Sequence, residues 1–86
     1  MARIEMDETQ LMAASNGKET LYNLGMMYCI GRDVEIDLVV AHKWLNLAAL
    51  RGSDEAKVAR CEISAEMSAH QISEAQRQAR NWLQVH

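Results

Sequence analysis

Proline is absent from the chain and glycine occurs only four times. A fold of many short strands needs such residues at its turns, so their scarcity excludes a many-turned β protein and favours helices. Only two cysteines are present, Cys29 and Cys61, without metal-like spacing. They read as reduced, small core residues of a cytoplasmic protein. No basic run exists to neutralise a phosphate backbone, and the net charge is −3, so nucleic acid is not an expected partner. No apolar run approaches the roughly 18 residues of a membrane span, and the N-terminus lacks the apolar core of a signal peptide. A membrane is not an expected partner either.

What is present is 86 residues, 49% of them hydrophobic, rich in Ala, Leu and Met. That length suits one domain, spanning 1–86, and the composition suits an all-α fold of four to five short helices. Asp7 to Ser15 has acidic residues placed for a short capping helix. Asn16-Gly17-Lys18-Glu19 has the form of a capping box, opening a helix to about Cys29. In it Leu21, Leu24, Gly25 and Tyr28 share one face, and Gly31 supplies a left-handed stop. Gly25 in mid-helix costs about 1 kcal/mol relative to Ala, which implies close approach of a neighbouring helix.

Val34 to Leu38 alternates like a strand, but it is short and has no pairing partner, so Asp37 reads better as the N-cap of a helix over Leu38–Leu50. Ala41, Trp44, Leu45 and Ala48 form its apolar stripe, with His42, Lys43 and Asn46 pointing away, and Gly52 ends it. Ser53 caps a further helix, whose buried face is Ala56, Ala59, Ile63 and Met67. Ser68-Ala69-His70-Gln71 is a second capping box, opening a last helix to Leu83 or Gln84 along Ile72, Ala75, Ala79 and Trp82 or Leu83. Glu74 and Arg77 sit three apart on its wet side.

Shifting the chain by 36 positions sets Glu19 on Glu55, Gly25 on Cys61 and Met27 on Ile63. The central stretch therefore reads as one complete repeat (17–52), followed by a partial second (53–67) and a C-terminal capping helix (68–84). It also resembles the Sel-one-like repeat, a relative of the tetratricopeptide repeat, in its bacterial form. Tyr22, Asn23, Leu24, Gly25, Met27, Tyr28, Gly31, Val34 and Asp37 match the first half of the family pattern. Ala41, Lys43, Trp44, Leu47, Ala48, Ala49 and Gly52 match the second half. The resemblance implies a short right-handed α-solenoid of helical hairpins. Within it Leu24, Gly25, Tyr28, Gly31, Asp37, Ala41, Trp44, Ala48 and Gly52 are structural. Two departures stand out. Asp33 replaces the second loop glycine, which Asp tolerates better than most residues. Arg60 falls where the first unit has Leu24, so the second unit must present a different solvent side, since an unpaired charge is not buried.

Catalytic and metal patterns are weak. Asp33, Glu35 and Asp37 begin like a calcium loop, but Leu38 and Trp44 occupy the positions of its glycine and its bidentate Glu. Cys29 with His42 has no evident orienting carboxylate, so a core thiol and a surface imidazole are expected. His70 and His86 lack partners at zinc-ligand spacing. The expectation is a protein that is not an enzyme and uses no metal or cofactor. The resemblance instead implies a protein or peptide partner held on a concave helical face. By position that face comprises Glu19, Tyr22, Asn23, Met26 and Cys29, with Val58, Glu62 and Ala65 from the next unit. Tyr and Met suit adaptable contacts of this kind. The alternative is a self-assembling module that forms a homo-oligomer.

Overall fold

Four helices follow from the chain's punctuation in the computed structural model, which describes residues 17–85. The short helix expected over 7–15, and Asn16 of the first capping box, lie outside them. Helix α1 runs Lys18–Ile30, and its N-cap position falls to Gly17, which has no side chain to offer. It ends where Gly31 takes the left-handed conformation (φ 77°) and donates its N–H to the Met27 carbonyl. Asp33 is also left-handed, with φ 67°. The connecting loop is tied back onto α1 by a bond from the Asp37 N–H to the Tyr28 carbonyl, 3.0 Å long.

Helix α2 covers Leu38–Leu50, with the Asp37 carboxylate accepting from the Val40 N–H as the predicted cap. No strand forms over Val34 to Leu38. At the other end the N–H groups of Ser53 and Gly52 reach back to the carbonyls of Ala48 and Ala49, a pairing that Gly52 permits with φ 99°. Helix α3, Asp54–Ser64, is capped by Ser53 Oγ, which accepts from the Ala56 N–H at 3.1 Å. Helix α4, Ala69–Val85, opens with both halves of its capping box made: Gln71 N–H to Ser68 Oγ and Ser68 N–H to Gln71 Oε1.

Helix α2 is the hub, packing against α1, α3 and α4. Its sequence explains why. Only His42, Lys43 and Asn46 are polar in LVVAHKWLNLAAL, and a helix apolar nearly all round must be covered on most sides. Ala41, Trp44, Leu45, Leu47, Ala48 and Ala49 are all buried. From α3 the core takes Ala56, Ala59 and Ile63; Met67 is buried as well, although the helix stops at Ser64. From α4 it takes Ala75, Ala79 and Trp82, leaving Leu83 43% exposed. The Trp44 and Trp82 rings meet edge to face, with centroids 5.9 Å apart.

Three expectations need correction. His42 does not point away: it is 3% exposed, because α2 has neighbours on three sides and too little solvated surface for all its polar residues. Lys43 and Asn46 are half-buried, with Lys43 Nζ lying 4.3 Å from the Trp44 ring centroid. Cys61 is exposed, because it sits off the Ala56–Ala59–Ile63 face of α3, while Cys29 is half-buried.

Candidate partner-binding face

Helices α1 and α3 both pack on α2 and touch each other only lightly. Two observations at opposite ends fix their direction. Near the N-termini a shallow cleft of about 330 Å³ is lined by Lys18, Glu19 and Tyr22 from α1 together with Ser53, Asp54 and Glu55. Near the C-termini the carboxylates of Glu62 and Glu66 act on the Cys29 thiol. The two helices are therefore parallel, as two antiparallel turns around α2 require.

The groove between them has a mixed surface. Tyr22, Met26 and Cys29 recur along α1 at helical spacing, half-buried and packed on the core with part of their surface free. Val58 on α3 is 59% exposed. Glu19, Asn23, Glu62 and Ala65 are exposed. The cleft joins Glu19 to Tyr22, and the field at Cys29 joins Cys29 to Glu62; Asn23, Met26, Val58 and Ala65 enter neither cluster. Burial raises the Cys29 pKa most, with the charges of Glu66 and Glu62 adding to it, so the thiol stays protonated and weakly nucleophilic.

Sequence reasoning missed Asp54, Glu55 and Glu66 on this face. The signal was available for Glu55. Glu55, Val58 and Glu62 are spaced i, i+3 and i+7.

A second, wholly unforeseen cleft of about 410 Å³ opens between α3 and α4, whose backbones hardly approach each other although four residues join them. His42 and Asn46 of α2 line it, with Arg60, Cys61 and Ser64 from α3 and Ile72 and Gln76 from α4. Arg60 donates to Asn46 Oδ1 at 2.7 Å, which explains how its charge is accommodated part-buried. Ser64 Oγ donates to the Arg60 carbonyl at 2.7 Å, so its single proton is committed. His42 Nε2, 3.1 Å from that oxygen, must then carry the hydrogen and donate to it. A serine activated by histidine needs the opposite arrangement, with the imidazole accepting. Nδ1 of His42 has no hydrogen-bond partner among the described residues. The pKa of His42 is lowered, first by burial and then by the charge of Arg60. Its ring bonds Ser64, while Cys29 faces the Glu62 and Glu66 charges, so no thiol–imidazole pair is assembled.

Among the described residues no three His, Cys, Asp or Glu side chains are grouped to hold a metal ion, and no helix is long and apolar enough to cross a membrane. No family model, curated protein or solved structure matches the chain.

Proposed function

We infer that the chain is a non-enzymatic binding module of the Sel-one-like type, which holds a protein or peptide partner on the face shared by α1 and α3. One observation carries this reading. Most residues of the motif are spent on caps, turns and the packing around α2, whereas Tyr22, Met26 and Cys29 are only half-buried on α1 and Val58 is exposed on α3. A partly exposed apolar strip with a polar rim is the usual composition of a protein-binding surface.

Site-directed photo-cross-linking tests it. A photoreactive residue at Met26 should give a discrete adduct with a partner in extracts of the cell of origin, and the same residue at Arg80 on α4 should not. Equal labelling from both positions, or no adduct from Met26, would remove the support for this face.

Self-assembly is the second reading, favoured by the exposed Ile30, Ile36, Leu50 and Val85. Light scattering after gel filtration separates the two, because a monomer at high concentration contradicts self-assembly.

A further inference from the structure

The groove between α1 and α3 is mostly acidic. Glu19, Asp54 and Glu55 stand at its N-terminal end, and Glu62 and Glu66 at the other. Lys18 is the cation in the N-terminal cleft, and Lys57 reaches Asp54 at 3.5 Å. No cation among the described residues bonds Glu19, Glu55, Glu62 or Glu66. Several other cations are engaged elsewhere: Lys43 lies over Trp44, Arg60 bonds Asn46, and Arg77 is held by Glu74. At the C-terminal end Glu66 and Glu62 come near enough to the half-buried Cys29 thiol to act on it.

We propose that this groove takes a basic amphipathic segment of another protein, with apolar side chains against Tyr22, Met26 and Val58 and Lys or Arg side chains toward Glu55, Glu62 and Glu66. The proposal rests on the reading of this face as the binding face and adds the chemistry of its partner. Charge complementarity selects that occupant over two others. Residues 1–16 carry Glu5, Asp7 and Glu8 against Arg3, the same sign as the groove. A second copy apposed through the same face would set carboxylates against carboxylates, and like charges across an interface suppress pairing.

Fluorescence anisotropy with the full chain tests the proposal. The probes are three labelled peptides roughly 15 residues long, enough to span the groove as a helix. They share one apolar stripe and carry Lys, Gln or Glu at every polar position. The Lys peptide should bind on the order of tenfold more tightly than the Gln peptide, with the Glu peptide weakest. Raising the salt from about 0.05 M to about 0.5 M should erase most of that preference, because exposed charges are then screened within a few ångströms. Replacing Glu62→Gln and Glu66→Gln, both exposed, should weaken the Lys peptide alone, with helicity by circular dichroism unchanged.

Three outcomes would overturn the proposal. Equal binding of all three peptides, weakened by Tyr22→Ala and Met26→Ala, would leave the binding face standing and remove the basic partner. No binding by any peptide would remove both. Magnetic-resonance contacts of Leu11 or Met12 with Met26 that persist under excess Lys peptide, or a dimer that the peptide does not dissociate, would give the groove to the chain itself or to a second copy.

Discussion

Gly25 lies so close to Leu45 that a Cβ added at residue 25 would stand 2.7 Å from Leu45 Cγ and 2.8 Å from Cδ2, with the Ala41 carbonyl oxygen at 3.2 Å. Leu45 is fully buried, so it has little room to withdraw. The missing side chain therefore lets α1 and α2 meet, and the helix-propensity cost of a mid-helix glycine is the consequence.

Gly25→Ala should destabilise the protein by about 1–3 kcal/mol, overpacking outweighing the gain of about 1 kcal/mol in propensity. For a chain of this size that lowers the Tm by roughly 4–8 °C per kcal/mol. A raised Tm would show that the two helices can separate at no cost.

The tryptophan pair should behave as the anchor between α2 and α4. Trp44→Ala should cost about 3–5 kcal/mol in chemical denaturation, the usual range for a buried aromatic. With Trp82→Ala added, a double-mutant cycle should return a coupling of about 0.5–1.5 kcal/mol from the edge-to-face contact. Strict additivity would contradict that contact.

His42 makes stability depend on pH. Burial and Arg60 hold its folded pKa below the ordinary 6.5, so between those two values the unfolded chain binds the extra proton. Stability is then complete above about 6.5 and falls as pH drops toward the folded value. The groups facing it are Arg60, Cys61 and Ser64 from α3 and Ile72 and Gln76 from α4, so Arg60 is the charge that opposes the imidazolium. The denaturation midpoint should decline on acidification from pH 7 in the native chain, and His42→Gln should flatten that decline. Equal slopes would show that His42 is not the group responsible.

On the last helix Glu74 accepts from Arg77 Nε at 3.0 Å and through a second guanidinium nitrogen, and from Gln78 Nε2 at 3.0 Å. These bonds, Arg77 first, lower its pKa to about 2. A carboxylate-detected titration should place it there, with Arg77→Gln returning it toward 4.5. A titration near 4.5 in the native chain would mean that the pair does not persist in solution.

How far the sequence discloses all this depends on the residue. The bounds of α2 are legible because Asp37 and Gly52 punctuate it, and the start of α4 because Ser68 and Gln71 form a reciprocal cap. The burial of His42 is not legible. Periodicity tells which residues share a face, but not that a third helix will cover the opposite one. The gap between α3 and α4 is hidden for the same reason, since a short turn suggests a packed hairpin and α4 instead docks on α2. On the candidate face, register alone sets Tyr22, Met26 and Cys29 on one side of α1. The contribution of Glu66 could not be placed so, because it lies past the end of α3 at Ser64.

The most direct test of the account is a two-dimensional amide spectrum of the full chain titrated with the Lys peptide. Concentration-dependent shifts should concentrate on Tyr22, Met26, Cys29, Val58 and Glu62, with the outer residues of α4 such as Arg80 unmoved. Shifts centred on His42, Arg60 and Gln76 instead, or none at all, would contradict the account.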